Sequence, residues 1–103
     1  MATQKHPREQ KIAKQIYSLA CEYFRVSDIT HQIVVLDVAM RNNANAEITY
    51  SLSGTPSSED VGMIHAKLTK HHMKPLRTYI AHHALLRYTP KIHFIFDPSY
   101  LIL

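Results

Sequence analysis

Residues 64–97 read IHAKLTKHHMKPLRTYIAHHALLRYTPKIHFIFD, and the reading of this stretch decides the fold. Its end, Lys91 to Asp97, alternates, with Ile92, Phe94 and Phe96 on one face, which is the period of a strand. Ahead of the strand the apolar residues follow a helical period. Val61, Ile64, His65 and Leu68 form one inward face, and Leu76, Tyr79, Ile80, His83 and Leu86 form another. Pro75 stands between the two sets. It lacks a backbone N–H and pushes Lys74 away from helical backbone angles, so the spacing predicts a break at Met73 to Pro75 and a further helix from Pro75 to Arg87. Tyr88-Thr89-Pro90 is then a connector into the strand.

Upstream, residues 53–60, SGTPSSED, end one element and start the helix before the break. Pro56 fits an early helical position, and Glu59 and Asp60 favour the positive end of the helix dipole. Ala46 to Leu52 alternates as a half-buried strand, and Ile33 to Met40 is dense in Val and Ile. The intervening RNNAN, 41–45, is turn chemistry, so the pair reads as an antiparallel hairpin. Ile12, Ile16, Leu19, Ala20 and Tyr23 lie on one face of a helix over Arg8 to Phe24, with Pro7 at its first turn. The expected order is α-β-β-α-α-β: an α+β single domain over 1–103, a three-stranded sheet covered by helices.

The chain has 103 residues, is 46% hydrophobic and carries a formal charge of +4, the profile of a small globular domain with a basic balance. The charge is concentrated. No acid occurs between Asp60 and Asp97, while Lys67, Lys70, Lys74, Arg77, Arg87 and Lys91 do, together with six of the eight histidines. A one-signed segment of this kind fits a polyanionic partner, nucleic acid first. On a regular helix Lys67, Lys70, Lys74 and Arg77 fall within an arc of about 80°, a stripe able to meet successive phosphates. Lys5, Arg8, Lys11 and Lys14 form a second basic patch on the first helix.

Other chemistries find little support. One cysteine, Cys21, permits no intrachain disulfide and fits a reducing compartment. No apolar run reaches the ~18 residues of a membrane span, and MATQKHPREQ contains no signal-like apolar core. Asp37, Glu47 and Asp97 fall on separate strands, not as an acid–base pair, and no nucleophile elbow accompanies the serines, so no catalytic residue is assigned. The paired histidines His71-His72 and His82-His83 lack the register and the acidic or thiol partners of a metal site. Protonated below about pH 6.5, they would add positive charge.

Three segments resemble ribosome-binding factor A, a family of the type II K-homology (KH) arrangement. Leu76-Arg77-Thr78-Tyr79-Ile80, Leu85-Leu86-Arg87 and Pro90-Lys91-Ile92-His93-Phe94-Ile95-Phe96-Asp97 are similar to its closing motif of an apolar-Arg pair, an "LR" ending and a Pro-x-apolar-x-Phe-x-x-Asp strand. Arg41, a polar turn and Ala46-Glu47-Ile48-Thr49-Tyr50 resemble its hairpin. Two positions depart from the pattern: His72-Met73-Lys74-Pro75 stands where the family has an Ala-x-Gly kink, and Arg41-Asn42 replaces Arg-Asp. Many members also carry a basic C-terminal extension, where this chain has the apolar PSYLIL.

The resemblance implies a type II KH-like fold and a non-catalytic, cofactor-free factor that binds pre-mature 16S-type rRNA and assists small-subunit maturation. The expected partners are a 30S-type small ribosomal subunit and its rRNA, with no membrane, for a chain acting as a monomer in the cytoplasm, or in an organelle if a presequence has been removed. RNA contacts are expected from Lys67, Lys70, Lys74, Arg77, Arg87, Lys91 and Arg41, and secondarily from Arg8, Lys11 and Lys14. The Gly-x-x-Gly loop of common KH domains is missing, so backbone and shape recognition is expected over sequence reading. Tyr88 and Tyr100 are the aromatics most available for stacking. The alternative is a protein-interaction adaptor using the sheet edge or the apolar C-terminal tail.

Overall fold

The helix that follows the hairpin carries the feature that positions everything after it. In the computed structural model, which describes residues 7–26, 33–42, 44–54, 56–84, 86 and 88–100, helix α2 (Ser58–Lys67) runs through a π-helical turn at Leu68–His72 into helix α3 (Met73–His83). The apolar spacing explains the wide turn. Leu68 and Met73 are five residues apart and would lie about 140° from each other on a regular helix. A turn closed by i→i+5 bonds brings them onto one face, where Leu68 is fully buried and Met73 packs against the core.

The expected break at Met73 to Pro75 is therefore not found; the helix passes through the proline. The wide turn ends at His72, three residues before Pro75, with His72 at φ −115° and ψ −13°. Pro75 thus occupies the first turn of a new α-segment, where a missing N–H costs least. α3 ends at His83, short of the expected Arg87, which lies outside the described residues along with Leu85. At the other end Pro56 precedes the helix rather than joining it. Ser57 is the N-cap: its Oγ accepts from the Asp60 N–H while Asp60 Oδ2 accepts from the Ser57 N–H, a reciprocal cap.

Helix α1 (Pro7–Val26) precedes strands β1 (Ile33–Asn42) and β2 (Asn45–Leu52), which form the expected antiparallel hairpin; strand β3 (Lys91–Phe96) pairs parallel to β2. The result is an α+β fold on a mixed three-stranded sheet with order β1-β2-β3. A parallel neighbour needs a long crossover, and α2, the π turn and α3 supply it. The β1–β2 register slips once between Val35 and Asp37 and again between Met40 and Asn42.

Ile16 and Ala20 of α1, Ala46, Ile48 and Tyr50 of β2, Leu68, Leu76 and Ile80 of the helical crossover and Ile92 of β3 close the core. Each large aliphatic side chain there contributes about 1.5–3 kcal/mol. The buried stripe of α1 is Ala13, Ile16, Ala20 and Phe24, so Phe24 takes the inward place expected of Tyr23. Tyr23 is half-buried, and its hydroxyl shares a 2.8 Å hydrogen bond with His72 Nδ1. His65 pairs likewise with the Tyr50 hydroxyl, at 2.7 Å. Burial pushes the Tyr50 phenol up to about 12, so it stays protonated at neutral pH. At the end of β3, Asp97 Oδ1 accepts from the backbone N–H and the hydroxyl of Ser99, turning the chain into a short 3₁₀ turn, Pro98–Tyr100. Those bonds hold the Asp97 carboxyl below its ordinary range. The last three residues of the apolar tail lie outside the described residues.

Candidate nucleic-acid interface

The π turn reorganises the basic stripe. One extra residue in a turn sets the following register back by about 100°. Lys67 therefore leaves the flank on which Lys70 and Lys74 lie, and the single arc expected from an unbroken helix divides in two. Lys67, Lys70 and Lys74 are all exposed. Arg77, the fourth expected member, is half-buried and already engaged: its Nε donates to the Pro90 carbonyl and its Nη2 to the Thr89 carbonyl, each at 3.1 Å. Arg77 is thus an anchor for the connector into β3. It still lines a shallow groove of about 320 Å³ with Lys74, Thr78 and Thr89.

Lys91, the next residue after that connector, is exposed, and its N–H donates to the Ala44 carbonyl at 2.8 Å. Arg77, Lys74 and Lys91 are accordingly drawn toward the hairpin end of the sheet, where Arg41 also lies. Arg41 Nε pairs with Glu47 Oε2 at 2.9 Å, which partly neutralises it. An exposed pair of this kind is worth little to stability, and 61% of the Arg41 side chain remains accessible.

The secondary patch is separate. Arg8, Lys11 and Lys14 are exposed on the N-terminal half of α1, and Lys14 lines a groove against β1 with Tyr17, Leu36 and Asp37, an acid that counters the patch. Lys5 and Arg87 lie outside the described residues, as does the side chain of Tyr100. Tyr88 is 75% exposed, the availability expected of it.

A groove of about 720 Å³ runs between the C-terminal half of α1 and α3, lined by Tyr23, Lys74, Pro75, Tyr79, His82 and His83 among others. Its walls are aromatic. Tyr79 and His83 stack with centroids 4.2 Å apart, Tyr23 meets Tyr79 edge-on at 5.8 Å, and the His83 Nδ1–H donates to the Tyr79 carbonyl at 2.8 Å. The Tyr79 hydroxyl donates to Glu22 Oε1, and that bond keeps the phenol above its ordinary pKa, with the Arg25 charge acting in the opposite sense. The sequence does not mark Arg25 or the Tyr79–His83 pair as RNA contacts. The i, i+4 spacing of Tyr79 and His83 is the local signal that identifies them as a pair.

Among the described residues no group of three or more His, Cys, Asp or Glu side chains is placed to hold a metal ion, and no helix is long and apolar enough to cross a membrane. No protein-family model matches the chain, and no curated protein is significantly similar to it.

Proposed function

We propose that this chain is a non-catalytic maturation factor of a 30S-type small ribosomal subunit, acting as a monomer that binds pre-mature 16S-type rRNA, biases its folding or processing, and leaves. The observation that carries the reading is the acid-free segment 61–96, in which Lys70, Lys74 and Lys91 are exposed and Lys74 shares a groove with Arg77 and Thr89. The closing motif from Leu76 to Asp97 and its resemblance to ribosome-binding factor A support the same partner. Lys70 and Lys74 serve as point charges for phosphates, and the chain reads backbone and shape more than base edges.

The test is binding to immature small-subunit particles across a salt series. Tight binding at low salt should collapse as salt rises. K70Q/K74Q should reduce the log–log slope by about 0.7–0.9 for each phosphate that is no longer neutralised, while leaving the folded state unchanged, because both side chains are exposed. Salt-insensitive capture of a protein, with no affinity for particles or rRNA, would refute the reading in favour of an adaptor.

A further inference from the structure

We infer that the groove between α1 and α3 receives a single strand of RNA, with one unpaired base stacked on the face of His83 that Tyr79 leaves open and a phosphate further along the strand held by Lys74. The inference rests on the RNA-binding reading and adds a subsite to it. Three observations carry it. The His83 ring is fixed before any ligand arrives, because one face stacks on Tyr79 and Nδ1 donates to the Tyr79 carbonyl. His83 is nonetheless exposed, so its other face is a flat platform. The groove, about 720 Å³, is lined by the Tyr23 and Tyr79 rings, Pro75 and Thr78 together with cationic Lys74 and the imidazoles of His82 and His83.

Charge complementarity selects the occupant. Among the described residues no carboxylate lines the groove. Glu22, beside it, accepts the Tyr79 hydroxyl, and Arg25 lies close enough to act on that same phenol. A groove with a ring platform and a separate cation among its lining residues matches a single strand that offers both bases and phosphates. Every base presents a π-face, so such a subsite tolerates any sequence. That agrees with the missing Gly-x-x-Gly loop. It also directs the protein to loops, bulges and ends, because a paired base cannot enter.

The experiment uses the full chain and a short single-stranded RNA carrying one 2-aminopurine, compared with the same RNA in a duplex. Wild type should bind the single strand more tightly and quench the 2-aminopurine. H83A should weaken single-strand binding by roughly five- to tenfold and abolish the quenching, whereas duplex binding stays as in wild type. H83F, which restores a ring, should recover both signals, and Y79F, which removes only the hydroxyl, should retain them. RNA binding with H83A indistinguishable from wild type would overturn the subsite and leave the broader reading standing. Competition by poly-glutamate as effective as competition by RNA would overturn it as well, since a stacked base would then contribute nothing. Failure of wild type to bind any of the RNAs would overturn both.

Discussion

Replacing Arg77 separates its two candidate roles. If its guanidinium only met phosphate, R77Q would lower RNA affinity and leave the fold untouched. The structure predicts a different outcome. Two hydrogen bonds from a charged donor, to the Thr89 and Pro90 carbonyls, fix the connector that delivers Lys91 into register with Asn45. Hydrogen bonds of this type contribute about 1.5–3 kcal/mol each when buried. Arg77 is half-buried, so the pair together should be worth roughly 2–3 kcal/mol, a large share of the 5–15 kcal/mol typical of a domain. With a urea m-value of about 1–1.5 kcal/mol per M, the midpoint should fall by roughly 2 M at constant m. R77K should recover less than half of the loss, because an ammonium is a point donor and does not reproduce the fork across two carbonyls. K70Q and K74Q, at exposed positions, should stay within about 0.5 kcal/mol of wild type. Equilibrium urea unfolding measures all four. An R77Q variant within about 0.5 kcal/mol of wild type would refute the anchor.

Further outcomes follow from other side chains. Tyr50 carries a phenol raised from 10.0 to about 12 by burial, so the folded state resists its ionisation. Its contribution is complete below about pH 10 and is lost as pH rises toward 12; Y50F should flatten that part of the alkaline stability profile, and an unchanged profile would count against it. Ser51 is fully buried, and its Oγ has no hydrogen-bond partner among the described residues. S51A should therefore raise stability by about 1 kcal/mol, read as a higher urea midpoint, since a desolvated hydroxyl is removed with little change of volume. P75A should keep the wide turn at Leu68–His72, because core spacing rather than the proline selects it. Amide NOEs of a regular α-helix across those residues in P75A would show instead that the proline forces it.

Much of the fold is legible from period alone. Val and Ile density, the Asn-rich turn and the Ile92-Phe94-Phe96 alternation place the three strands, and the α1 stripe places the first helix. The π turn is also written in the spacing: Val61, Ile64 and Leu68, then a gap of five to Met73, then Leu76 and Ile80. Proline is so strong a breaker that it masks that gap. The Tyr–His pairs have no local signature, because their partners are 49 and 15 residues apart in sequence and meet only when α1, β2 and the crossover pack. The anchoring role of Arg77 is hidden for a related reason. Its acceptors are backbone carbonyls, which every residue possesses, so no residue type marks them.

The wide turn and the histidines beside it belong to one device. A π turn inside a helix is a natural hinge, and a loose hinge would let α3 and Lys74 move relative to α1. Here both shoulders are tied down. His65, ahead of the turn, is bonded to Tyr50 of the central strand, and His72, at its end, is bonded to Tyr23 of α1. Leu68 at the start of the turn is in the core, and Met73 just after it packs against the core. The Tyr23–His72 bond also fixes Tyr23 where its ring meets Tyr79, which in turn supports His83. A chain of ring contacts thus runs from the turn to the groove wall, and the spacing between α1 and α3 is set before any ligand binds. Preorganisation of this kind lowers the ordering cost of association, which matters for a surface whose other resource is a few exposed lysines. At positions 65, 72 and 83 the histidines thus act as fasteners, tying the helical crossover to β2, to α1 and to its own last turn.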